Sequence, residues 1–202
     1  MKKGIIGAGG FGREVYWSLS LMERINTVFF VDDKYWDGSN ELILPLSKFD
    51  PTEYSIVVAI GDPKDRFNII QRLPKETKYF THIHNSCQIL GDDVIIGEGS
   101  IICAGTVITT NVKLGKHAHL NLQTTIGHDC EIGDYFTTAP GAKISGNCKI
   151  HDLVYVGTNA SIKEKLSIHT LVTIGSNSTV VKHIEEPGTY VGVPSKKLNY
   201  EK

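Results

Sequence analysis

The chain has little net charge. Its 21 Lys and Arg against 22 Asp and Glu leave −1 at pH 7. That balance offers no basic face for nucleic acid. No apolar run approaches the ~20 residues that cross a bilayer, so no membrane partner is expected. The start, MKKGIIGAGGFGRE, is basic, but its apolar stretch is short and Gly-rich; it reads as a strand entering a turn, not as a signal peptide. The four cysteines, Cys87, Cys103, Cys130 and Cys148, show no CxxC spacing. They are expected to be reduced thiols in a cytoplasmic protein.

Two halves remain when these classes are removed. Residues 1–82 read as a small α/β domain. KKGIIGAG is an apolar strand running into glycines, and Phe11 to Met22 reads as a helix. A second strand spans Asn26 to Val31, and Tyr54 to Ile60 is a continuous apolar run of the kind found in buried parallel strands. DPKDRFNIIQRL then reads as a helix with Pro63 near its start. This order is half of a doubly wound fold.

From about Ile83 the character changes. Leu90 to Thr179 can be cut into consecutive hexapeptides, whose first positions are aliphatic except Thr138. The second position is often Gly, and the fifth is uncharged and usually small, as at Ala118, Cys130, Ala142 and Cys148. Ile83–Gln88 reads as one more row, offset by an extra residue. A period of six with two inward positions predicts a left-handed parallel β-helix over 83–184, followed by a tail at 185–202. Three rows make a coil, so residues 18 apart stack about 4.8 Å from each other. The second-position glycines relieve crowding at the corners. The inward Cys130 and Cys148 read as buried thiols, whereas His84, His117, His151, His169 and His183 read as solvated.

Gly7-x-Gly9-x-x-Gly12 follows a strand, and Asp32 lies twenty residues beyond the last glycine. This is a dinucleotide fingerprint. About 80 residues build only one mononucleotide-binding half, however, which suits a nucleotide-sugar better than NAD. Its phosphates would lie on the amides around Gly7, Gly9, Gly10 and Phe11 at the helix start, with Asp32 or Asp33 on the base or ribose. The alternative is that the glycines only make a tight turn.

The hexapeptide half resembles bacterial hexapeptide-repeat acyltransferases. The whole chain resembles the subgroup of sialic acid O-acetyltransferases and nucleotide-4-amino-sugar N-acetyltransferases. IIGAGGFGRE at 5–14, VDD at 31–33, VVAIGDPKDR at 57–66 with its Gly61, HLNLQTTIGHDCEIGD at 119–134 and PGTYVGVPSKKL at 187–198 carry the match. The resemblance implies a homotrimer with sites between neighbouring prisms, acetyl-CoA as cosubstrate and a histidine general base. That histidine is His128, and Asp129 follows it where many relatives have Glu. The shorter carboxylate is expected to reach the ring less well. It further implies a glycine N–H on the acetyl carbonyl, here Gly146, and an asparagine near the base, here Asn121. A second histidine nine residues after the base is Thr137 here, with His119 one coil below as a partial replacement.

The spacing adds its own argument. His128 holds the third position of its row and projects outward, with Gly146 one coil above it. Base and oxyanion donor are therefore neighbours. The backbone N–H groups of Thr158 and Ser176, in the next column, are candidates for the pantetheine arm, and Lys196 in the tail suits CoA phosphates. Zinc chemistry on such a prism needs a His-x4-His pair, which His117, His119 and His128 do not form, so no metal is expected. The leading expectation is acetyl transfer to the amino group of a nucleotide-linked amino sugar in bacterial glycan biosynthesis. O-acetylation of a sugar, or a silent nucleotide-sugar-binding scaffold, are the alternatives.

Overall fold

The computed structural model describes residues 1–199. Five parallel strands form the first sheet: β1 (Lys2–Ile6), β2 (Thr27–Val31), β3 (Ile43–Pro45), β4 (Tyr54–Val58) and β5 (Lys78–Tyr79), in the order β3-β2-β1-β4-β5. Their apolar runs are continuous because both faces of the sheet are covered: Ile5, Ile6, Phe29, Phe30, Ile56, Val57 and Val58 are all buried. The short strands β3 and β5 were not marked by the sequence pattern.

The helix expected from Phe11 to Met22 is two helices. The first, α1, spans Gly10–Ser18. Ser20 then starts a separate turn, α2 (Leu21–Arg24), through a reciprocal capping box with Glu23. A capping residue satisfies orphan donors best at a helix start, so it divides the apolar run. The third helix, α3 (Pro63–Gln71), begins as expected, with the Asp62 carboxylate accepting the N–H groups of Lys64 and Asp65. Among the described residues no helix is long and apolar enough to cross a membrane.

The second half is a parallel β-helix. One circuit runs from His119–Leu120 through Thr125–Ile126 and Glu131–Ile132 to Thr137–Thr138, which pairs with His119–Leu120 one coil below. Three sheets result, of six, five and eight strands; the eight-stranded one also takes up the tail strands Gly188–Val191 and Lys196–Lys197. The ladder of Ile102, Ile108, Leu114, Leu120, Ile126, Ile132 and their successors fills the interior. Cys130 and Cys148 lie within it, as expected.

Three details differ from the sequence reading. Leu90 is not a ladder residue: Ile89 pairs with Ile108, and Leu90 is exposed. The extra residue therefore falls after Ile89, and the strict register starts at Ile96. It extends at the other end to Val180, which pairs with Ile162. Second, the corners take left-handed backbone at the fourth position, with φ near 50–61° at Asn111, Asp129, Asn147, Lys165 and Leu171 among others. The second-position glycines answer a different demand, close approach of coils: a Cβ on Gly127 would lie 2.6 Å from the Gly146 nitrogen. Third, His117 is buried rather than solvated.

The cause of that burial is the packing of the α/β domain onto the eight-stranded face. Arg66 of α3, fully buried, reaches into that face. It donates to the carbonyls of His117 (3.0 Å), Ile60 (2.6 Å) and Tyr135 (2.8 Å), to Thr137 Oγ1 (2.7 Å), and toward His119 Nδ1 (3.0 Å). Phe11 stacks at a tilt on the His119 ring, 5.1 Å between centroids.

Candidate active site

The row Ile126–Glu131 leaves the six-stranded face and turns the corner toward the five-stranded one. That corner lies opposite the face covered by the α/β domain. Ile126 and Cys130 point inward and are buried, so the turn between them must present His128 and Asp129 outward. Hydrogen bonds pin it from both neighbouring coils: the Asp129 N–H donates to the Thr110 carbonyl (3.1 Å), and the Asn147 N–H donates to the His128 carbonyl (2.8 Å).

The His128 side chain is about half exposed, and its Nδ1 lies 2.6 Å from Asp129 Oδ2. The shorter carboxylate therefore reaches, contrary to the expectation. The αL conformation of Asp129, φ 60°, folds its side chain back over the preceding residue. The second oxygen, Oδ1, accepts the Asn111 amide at 2.7 Å. The hydrogen bonds from His128 and Asn111 hold the Asp129 carboxyl below the usual carboxylate range. An ionised carboxylate accepts only, so in the neutral ring this pairing puts the proton on Nδ1 and leaves the lone pair on Nε2.

That lone pair sits beside Gly146. A Cβ at Gly146 would fall 2.7 Å from His128 Nε2 and 2.8 Å from Cε1, so only glycine leaves the ring its place. Among the described residues the backbone N–H groups of Gly146, Thr158 and Ser176 donate to no protein acceptor. Those of Thr158 and Ser176 belong to the other edge of the six-stranded face, not to the His128 corner. Asn121 is at that other edge too, with its Oδ1 accepting the Leu122 N–H at 2.7 Å.

His119 and Thr137 are not brought to the base. Both are buried under the α/β domain, where Thr137 also donates to the Gly61 carbonyl at 3.2 Å. Burial, and after it the Arg66 charge, hold His119 well below the ordinary histidine range, so its ring is neutral. The partial replacement of the second histidine is thus an interdomain contact. Sequence reasoning also missed Arg66; its only signal was its place in VVAIGDPKDR.

In the α/β domain a crevice of about 690 Å³ opens at the C-terminal end of the parallel strands. Gly7, Gly9 and Asp32 line it, with Lys34, Tyr35 and Arg72. Gly7 has φ 105°, and a Cβ on Gly12 would lie 1.9 Å from the Gly7 carbonyl oxygen, so the turn itself requires both glycines. Four other expected residues do not line the crevice. Gly10 opens α1 on the surface. Phe11 faces His119. Asp33 accepts the Ser47 N–H at 3.0 Å. Gly61 points its carbonyl at Arg66 and Thr137. Lys196 borders a separate cavity of about 290 Å³ with His183, Tyr190 and Pro194. Its neighbour Lys197 is paired with Glu186 at 2.7 Å.

Comparison with known proteins gives the family and the fold. Residues 4–73 match the family described as the PglD N-terminal domain. GDP-perosamine N-acetyltransferase of Escherichia coli O157:H7 is 32% identical over 155 residues, 71% of this chain and 69% of that protein. The chain belongs to the nucleotide-amino-sugar N-acetyltransferase family. WeeI from Acinetobacter baumannii AYE superposes with a TM-score of 0.87 at 32% identity, over 98% of this chain and 100% of that one. The acetyltransferase domain of PglB from Neisseria gonorrhoeae FA1090, solved with acetyl coenzyme A, gives 0.87 at 28% identity over 98% of each chain. This family member is an acetyltransferase, as the sequence implied.

Proposed function

We propose that the protein moves the acetyl group of acetyl-CoA to the amino group of a nucleotide-linked amino sugar for glycan biosynthesis, with His128 as general base. The observation that carries this reading is the His128–Asp129 pair with Nε2 beside the unpaired Gly146 N–H. The sugar amine attacks the thioester carbonyl carbon, and the Gly146 N–H faces the oxygen as it becomes anionic. The amine proton passes to His128 Nε2. The C–S bond then breaks, and the imidazolium returns the proton to the departing CoA sulfur.

Acetyl-CoA is the cosubstrate because GDP-perosamine N-acetyltransferase and the PglB domain are named for that chemistry or bind it. The Thr158 and Ser176 amides and Lys196 serve its pantetheine arm and phosphates. The nucleotide lies on Gly7, Gly9 and Asp32, which line the crevice. The crevice belongs to the domain packed on the face opposite the His128 corner. One copy cannot bring its own crevice to its own base, which supports a homotrimer with sites between copies. The four free cysteines support a reducing, cytoplasmic setting.

The test is a panel of GDP- and UDP-linked amino sugars incubated with acetyl-CoA and read by product mass. N-acetylated product is expected from one of them and none from His128→Ala with its fold intact. Product formed only with hydroxyl acceptors, or near-normal turnover by His128→Ala, would overturn the reading.

A further inference from the structure

We propose that Asn111 is a positioning residue for the base. The inference rests on the reading of His128 given above. Asp129 divides its two oxygens: Oδ2 takes the His128 Nδ1 proton and Oδ1 takes the Asn111 amide, 2.6 and 2.7 Å away. A carboxylate bound through one oxygen alone can swing about its terminal torsion. Bound through both, its plane is fixed, and with it the direction in which the imidazole points Nε2.

Asn111 is itself anchored. It stands 18 residues before Asp129, one coil below, in the same left-handed turn position. Its backbone N–H donates to Asp93 Oδ1 at 2.8 Å, and Asp93 is held in turn by the Thr110 hydroxyl. The relay therefore runs Asp93, Asn111, Asp129, His128. Conformation alone does not explain the asparagine. Gly99 and Gly105 fill equivalent corners at φ 72° and 71°. Asn159 and Asn177 share the turn, yet among the described residues their amides donate to no side chain. Asn147, one coil above Asp129, stands 3.5 Å from the same His128 Nδ1. That is too long to compete with the carboxylate. The amide of Asn111 is thus the group that holds the second oxygen of Asp129.

Asn111→Gly tolerates the left-handed backbone and removes the side chain with its amide. Its kcat is expected to fall about tenfold, the scale of an orienting partner lost behind a reacting group, with KM for acetyl-CoA unchanged. Asn111→Asp, which keeps the shape but sets carboxylate against carboxylate, is expected to fall further. In an Asp129→Ala background Asn111→Gly should add less than a twofold loss, because its effect passes through Asp129. A kcat within twofold of wild type in both Asn111 variants, or an equal loss with and without Asp129, would overturn the proposal. Full activity in His128→Ala would instead remove the reading beneath it, whatever the Asn111 variants do.

Discussion

Gly146→Ala isolates the geometry of the base. The new Cβ would stand 2.7 Å from His128 Nε2 and 2.8 Å from Cε1. Carbon contacts settle near 3.5 Å, so the ring must retreat by about 0.8 Å. Gly146 does not have left-handed φ, so alanine adds no backbone strain. The ring is half exposed and can swing into solvent, which keeps the stability cost below about 1 kcal/mol. The catalytic cost is larger. The retreat pulls Nδ1 from Asp129 and moves Nε2 off the line to the acceptor amine. A displacement near 1 Å costs about 10²-fold in rate, close to 2.7 kcal/mol of barrier. The assay is release of CoA thiol at saturating acceptor, with thermal unfolding measured beside it. A kcat within threefold of wild type at unchanged Tm would show that the ring need not sit against residue 146.

Arg66→Met keeps an apolar stem but removes every donor, leaving the buried carbonyl of His117 and the half-buried ones of Ile60 and Tyr135 without their partner. Unfolding in urea should show a loss of about 3 kcal/mol or more; a loss below about 1 kcal/mol would mean that these bonds do not hold the domains. Acid should also destabilise the protein, with a definite sign. Burial pushes His117 down to about 4 and lowers His82 and His119. Each is neutral when folded and takes a proton when unfolded below about pH 6.5. The stability is therefore complete above that pH and lost as pH falls toward 4, with roughly 3 kcal/mol from His117 alone. Urea midpoints that stay level between pH 7 and 4.5 would contradict this.

The β-helix was legible in the sequence because each inward side chain repeats the same demand every six residues. It failed at Leu90, where two aliphatic residues stand side by side and either satisfies the pattern; only the pairing of Ile89 with Ile108 decides between them. The His128 corner was legible because an outward histidine interrupts two inward positions. The burial of His117, His119 and Thr137 was not. An outward position on a solenoid reads as solvated, whereas the α/β domain covers one face. A trace existed in Ile101, an outward position filled by an aliphatic residue that is fully buried. Arg66 left less trace, since a charged residue on an amphipathic helix ordinarily faces water.

The left-handed turn explains why the acidic partner here is an aspartate. Corners of this solenoid impose φ near 60° on the fourth position even for Tyr135, Leu153 and Leu171, so the conformation belongs to the coil and not to the residue. Asp and Asn tolerate it better than most side chains. Placed there, a short carboxylate is carried back over the residue before it and needs no extra methylene to meet Nδ1. The same repeat sets Asn111 18 residues earlier in the same turn, within reach of the other oxygen. The orientation of the base is therefore inherited from the stacking of coils. A change that shifts one coil against the next, as a Cβ on Gly127 would through its 2.6 Å approach to the Gly146 nitrogen, should disturb catalysis without touching any group that reacts.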